Sequence, residues 1–192
     1  MGAMGERQRR SHRDRFLTPV AKVYEITITH LEMFEDPHLN APPPSHSQIA
    51  LIRADNPPVH FYRYLYKTVG ADYTWVNRLK MSDEELAEII TDPAVELYVL
   101  YVNGCPAGYV ELDFRKMPEV ELVFMGLTPE VIGQGFGRYL LCQAISLAWL
   151  HSPKRLFVQT CTLDHPRALG LYQRCGFIPF AQEQGELEAP DD

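Results

Sequence analysis

The stretch Leu122–Leu141, LVFMGLTPEVIGQGFGRYLL, constrains the fold more than any other part of the chain. Its opening residues read as a strand, Thr128-Pro129 breaks the run, and Gly133, Gly135 and Gly137 lead into an apolar helical pattern. A helix that starts this way exposes unpaired amides at its N-terminus, where the helix dipole favours negative charge. Glycine leaves no Cβ between that backbone and an anion such as a pyrophosphate. The competing explanation is steric, since a sharp strand-to-helix turn needs glycine in any case. The spacing is neither GxGxxG nor a loop closed by Gly-Lys-Ser/Thr, which disfavours an ATPase or a dinucleotide enzyme.

Around this segment the sequence predicts a mixed α/β domain. Val23–Thr29 reads as an opening strand, and Ala41-Pro42-Pro43-Pro44 as an exposed connector. In VHFYRYLY (Val59–Tyr66), Phe61 with Leu65 and Tyr62 with Tyr66 fall at helical spacing. Ser82-Asp83-Glu84-Glu85 is a capping box before a second helix. Val95–Tyr101 and Ala107–Phe114 flank Asn103-Gly104 as an antiparallel hairpin. Val120–Leu127 and Leu156–Cys161 are further strands, and the helix after the glycines runs through Leu150. Pro166–Arg174 is a last helix closed by Cys175-Gly176, and Phe177–Ala181 is a terminal strand.

Composition narrows the function classes. With 192 residues, 46% of them hydrophobic, the chain suits one domain: a basic arm over 1–22, a body over 23–181 and an acidic tail over 182–192. The arm carries six Lys/Arg against two Asp/Glu, and the rest of the chain twelve against twenty-three. An acidic body is repelled by phosphate backbones, which disfavours nucleic-acid binding; Arg7, Arg9, Arg10, Arg13 and Arg15 read as a solvated tail. No apolar run reaches the roughly 20 residues that span a bilayer, and the expectation is a cytoplasmic protein without membrane contact. Cys105, Cys142, Cys161 and Cys175 are irregularly spaced, read as small buried hydrophobes, and suggest no metal site.

The second chemistry-bearing cluster is Thr162-Leu163-Asp164-His165-Pro166-Arg167-Ala168-Leu169-Gly170-Leu171-Tyr172-Gln173-Arg174-Cys175-Gly176-Phe177. It resembles the signature of the GNAT N-acetyltransferase superfamily, in which an Asn/Asp-containing turn leads into a helix reading Ala-x-x-x-Tyr and ending in Gly-Phe. The Pro129–Gly137 loop stands at the matching distance before it. The resemblance implies a mostly antiparallel mixed sheet, flanked by helices and splayed between the strands at 120–127 and 156–161, with acetyl-CoA or another acyl-CoA in the opening. It further implies that the backbone at Leu127 pairs with the pantetheine arm. The amides of Gly133, Gln134, Gly135, Phe136, Gly137 and Arg138 would bind the pyrophosphate, with the side chains of Arg138 or Gln134 helping. Ile132 departs from the Arg or Gln usual at the first motif position. Asp164 belongs to the same cofactor-binding set, and by its own chemistry suits capping of the helix near Pro166.

For the chemistry, the resemblance places Tyr172 where its hydroxyl can protonate the departing thiolate. An attacking amine must first lose a proton, and Glu121, sharing one side of its strand with Glu119, is the expected base; Asp164 and His165 are alternatives. Tyr62, Tyr64, Tyr66, Tyr73 and Trp75 are candidate walls for the amine, which is a small molecule or a protein or peptide amine. The implied function is direct acyl transfer in a ternary complex without a metal, and a homodimer is compatible with it. The rivals are a non-catalytic acyl-CoA-binding module and an interaction scaffold that uses the aromatic 61–75 region.

Overall fold

The computed structural model describes residues 21–44 and 48–190; the basic arm expected over 1–22 lies almost wholly outside them. The elements are β1 (Ala21–Met33), β2 (Ile49–Arg53), α1 (Val59–Gly70), α2 (Asp83–Ile90), β3 (Val95–Val102), β4 (Cys105–Asp113), β5 (Glu119–Leu127), α3 (Phe136–Trp149), β6 (Arg155–Cys161), α4 (Ala168–Arg174) and β7 (Ile178–Pro190). One seven-stranded sheet runs in the order β2-β3-β4-β5-β6-β1-β7. Its pairings are antiparallel except β5 with β6, as expected for a mixed, mostly antiparallel sheet.

Strand alternation sends successive side chains to opposite faces, and each face carries its own core. Leu31, Val120, Leu122, Leu156 and Val158 pack with Leu140, Leu141 and Ile145 of α3. On the other face Leu97, Val99 and Tyr109 pack with α1 and α2. In α1, Tyr62, Leu65, Tyr66 and Val69 recur at helical spacing and are buried, each contributing on the order of 1.5–3 kcal/mol. α2 starts at the predicted capping box: Glu85 N donates to Ser82 Oγ (3.1 Å), and Ser82 N donates to Glu85 Oε2 (2.8 Å). At Gly126 α1 packs so near the sheet that a Cβ there would collide with Val69.

Three expectations need correction. The stretch read as an acidic tail from residue 182 is the greater part of β7, paired with β1 from Glu32–Ile178 to Ala21–Pro190. Its side chains are mostly exposed, so backbone pairing holds it and no hydrophobic alternation marks it. β2 is a further strand, five residues on the sheet edge, absent from the sequence reading. The cysteines do not share one environment: Cys142 and Cys175 are buried, Cys161 is half-buried and Cys105 is exposed.

Candidate active site

The site begins as a failure of strand pairing. β5 and β6 stay in register from Glu119–Arg155 to Leu122–Val158 and no further. There β5 bulges against β4: Leu112 pairs with Leu122 and Glu111 with Phe124, so Val123 is extra. A bulge bends and twists its strand. Beyond it the two strands diverge, and a cavity of about 650 Å³ occupies the opening, within the size range of ligand sites.

On the α3 face the cavity is lined by backbone and side chains that could hold an anion. Gly133 and Gly135 adopt φ of +84° and +91°, a conformation costly for any residue with a Cβ. The turn they make leaves the N–H groups of Gly133, Gly135, Phe136, Gly137 and Arg138 without an acceptor among the described residues. Arg138, Arg167 and Arg174 also line the cavity and make no ion pair among the described residues. The last two were not singled out from sequence, although their seven-residue spacing puts them on one side of a helical turn. Leu127 and Ile132 complete this end. Two expectations shift: Gln134 turns its side chain back onto the Glu130 carbonyl (2.7 Å) and its own amide onto Val131 (3.4 Å). The ring of Phe136 is buried in the core, leaving only its amide for a ligand.

Tyr172 lines the cavity from α4, its ring packed edge-on against Phe177 with centroids 5.8 Å apart. Its hydroxyl has no hydrogen-bond partner among the described residues. Burial first, and the Asp164 charge second, push this phenol well above its ordinary value, so it stays protonated at neutral pH. At reference values a phenol (~10) is a weaker acid than a simple thiol (~8.5). Full transfer to a thiolate is therefore uphill, whereas donating a hydrogen bond needs no change in its protonation.

Glu121 reaches the cavity from the opposite side, half-buried and free of ion pairs among the described residues. Burial first, and the neighbouring Asp113 carboxylate second, raise its pKa from the ordinary carboxylate value. Glu119, its expected companion, is outside the cavity and meets Arg155 (3.4 Å).

Asp164 does not cap α4, whose N-terminal flanking residue is Arg167. It lies three residues earlier, and its carboxylate closes the end of β6 instead. Oδ2 accepts from Thr160 Oγ1 and Cys161 N, both 2.8 Å, and Oδ1 from Trp75 Nε1 at 3.2 Å. His165 Nδ1 accepts from Arg167 N (3.1 Å) and supports the turn into α4. Both alternatives for the base are thus engaged, while Glu121 is not.

Of the five aromatics singled out from sequence, Tyr66, Tyr73 and Trp75 line the cavity, joined by Phe124. Tyr64 is exposed and Tyr62 is buried behind them. There Tyr62 donates to Glu111 Oε2 (2.5 Å) and Arg78 Nη2 to Glu111 Oε1 (2.6 Å), in a buried cluster that also holds Tyr109. Among the described residues, no group of three or more metal-type side chains is gathered, and no helix is long and apolar enough to cross a membrane.

A splayed β5/β6 pair with a glycine-opened helix at its mouth is an arrangement that comparison with known proteins places in one family. The sequence model of the Acetyltransferase (GNAT) family matches residues 59–177, and the chain belongs to that family. It is 28% identical over 92 residues to a Bacillus subtilis (strain 168) protein assigned by inference as a (ribosomal protein bS18)-alanine N-acetyltransferase. That match covers 48% of this chain and 60% of the relative. The fold is similar to a Vibrio cholerae spermidine N-acetyltransferase chimera, with a TM-score of 0.57, 21% identity, and 75% and 96% of the two chains covered. It is also similar to an aminoglycoside acetyltransferase from an uncultured soil metagenomic sample, with a TM-score of 0.55, 14% identity, and 67% and 87% covered.

Proposed function

We propose that the protein transfers an acetyl or other short acyl group from acyl-CoA directly to an amine. The observation that carries this reading is the two-sided cavity: amides without an acceptor among the described residues and three arginines on one face of the splay, and on the other a carboxylate without an ion pair among those residues, with aromatic rings lining the same cavity. The residues fit the co-substrate. Gly133, Gly135, Phe136, Gly137 and Arg138 offer backbone donors for a pyrophosphate, Arg167 and Arg174 add charge, and the backbone at Leu127 has lost its β6 partner and can pair with an amide-bearing arm.

When bound, acyl-CoA supplies an activated thioester. Glu121 takes the proton that frees the amine lone pair, the amine nitrogen bonds the acyl carbon, the carbon–sulfur bond breaks, and the nitrogen gives up its excess proton to solvent to leave the neutral amide. Tyr172 donates a hydrogen bond to the sulfur as its charge develops, and the thiol gains its proton there or from solvent. Cys161 also lines the cavity, but burial and the Asp164 charge push its thiol up, away from the thiolate an acyl-cysteine route needs. This favours direct attack. The expected result is amine-dependent release of free thiol from acetyl-CoA; binding of acetyl-CoA without turnover of any amine would make the chain a non-catalytic acyl-CoA-binding module.

A further inference from the structure

Resting on that transfer reading, we propose that the acceptor is a small primary amine with one positive charge and an apolar body, and that the site selects against polycations and peptides. Charge is the first argument. Glu121 and Asp164 are the cavity's two carboxylates, and Asp164 is taken up by three donors. One carboxylate remains to receive an ammonium, and a second ammonium would be desolvated without a partner, which is costly.

The walls are the second argument. Ile26, Ile28 and Leu187 of β1 and β7 line the cavity together with Tyr66, Trp75 and Phe124. These rings stack on one another, Tyr66 edge-on to Phe124 at 5.1 Å and Trp75 against Phe124 at 5.2 Å. Such a lining holds an alkyl or aryl body by burial and offers a ring face to a single cation.

Enclosure is the third. The segment between α1 and α2 is fastened on both sides of the acceptor compartment. Trp75 reaches Asp164 and the Tyr73 ring lies against His165 (6.0 Å), while Lys80 Nζ donates to the Glu188 carbonyl of β7 (2.9 Å). A strap tied to the β6–α4 turn and to β7 leaves room for a small molecule and obstructs an extended peptide.

The test is thiol release from acetyl-CoA with phenethylamine, spermidine, an aminoglycoside and a tripeptide beginning with alanine. The parent protein should give kcat/KM for phenethylamine roughly 10-fold or more above the other three. Ile28→Glu, which adds a second carboxylate on the acceptor side, should move the ratio toward spermidine. Preference for spermidine, the aminoglycoside or the peptide overturns the substrate class while leaving acyl transfer standing. An unmoved ratio in a folded, active Ile28→Glu protein overturns the charge argument. If acetyl-CoA raises the thermal midpoint and no amine is turned over, the transfer reading fails and this assignment falls with it.

Discussion

Trp75 donates its indole N–H to the carboxylate of Asp164, 3.2 Å away and 89 residues along the chain, and so ties the α1–α2 segment to the end of β6 across the splay. Trp75→Phe leaves a smaller aromatic ring and removes the donor to the carboxylate, at a stability cost of about 1.5–3 kcal/mol for that bond. The acceptor KM should rise while acetyl-CoA affinity stays near the parent value. Steady-state kinetics beside calorimetry separates the two; equal losses on both would place Trp75 in support of the cofactor side instead.

Glu121→Gln tests the base. Because burial raises this carboxyl, the acid limb of kcat/KM in the parent should lie above the ordinary carboxylate range, with activity lost as pH falls through it. The variant should be slower by roughly 10²-fold near neutrality. Its rate should climb as pH approaches the amine's own value of ~10.4, where the free base no longer needs an acceptor for its proton. A variant with the parent's pH profile would remove Glu121 from the chemistry.

Gly137 separates fold from binding. Its φ is helical, and an added Cβ would make ordinary contacts with Leu171 (3.7 Å) and Leu127 (3.8 Å). Gly137→Ala should therefore hold or raise the unfolding free energy, by up to about 1 kcal/mol, since alanine is the better helix former; a thermal melt reads this. The same methyl narrows the cradle at the first turn of α3 and should weaken acetyl-CoA binding. An unchanged dissociation constant would move the pyrophosphate away from this glycine.

How much was legible follows from what each residue interacts with. The capping box at Ser82, the hairpin at Asn103-Gly104 and the glycine-opened α3 rest on local chemistry, and the structure has them where the sequence puts them. β7 was half missed because its exposed side chains encode no burial pattern; its partner β1 is about 150 residues away. The insertion of β1 between β6 and β7 is likewise a non-local pairing without a local signal. Asp164 was misread because capping chemistry is shared: the same carboxylate can close a strand end or open a helix, and the extra residues before α4 decided for the strand. Arg78 and Glu111 went unremarked, since only the folded chain brings them within 2.6 Å.

That pair makes a stability prediction. Glu111 and Arg78 are 1% and 8% exposed, so Arg78→Met strands a buried carboxylate and should cost about 3–5 kcal/mol. Burial already raises Glu111 against the pull of Arg78, and without the guanidinium it must rise further. A carboxyl raised in the folded state contributes stability that is present at low pH and lost as pH rises through its folded value. The gap between parent and variant midpoints should therefore widen from mildly acidic to mildly alkaline pH. A pH-independent gap would mean that packing, not charge, is what Arg78 supplies; adding Glu111→Gln should recover part of the loss.

Tyr172→Phe isolates one hydroxyl. The ring's contact with Phe177 is kept, so stability and acetyl-CoA affinity should hardly move. The lost group is a donor held protonated by burial and by Asp164, in reach of the cavity and unpartnered among the described residues. At reference values full proton transfer to a thiolate costs about 2 kcal/mol, and burial adds to that, so the benefit comes from a hydrogen bond that strengthens as the sulfur charges. Removing it should slow single-turnover acyl transfer by roughly 10²–10³-fold at saturating substrates. Because the phenol lies so high, the parent's rate should show no loss to tyrosinate formation between neutral and mildly alkaline pH. Single-turnover measurement is required, since slow product release would hide slower chemistry. An unchanged rate would leave the sulfur to solvent; an equal loss of acetyl-CoA binding would make Tyr172 a packing residue of α4.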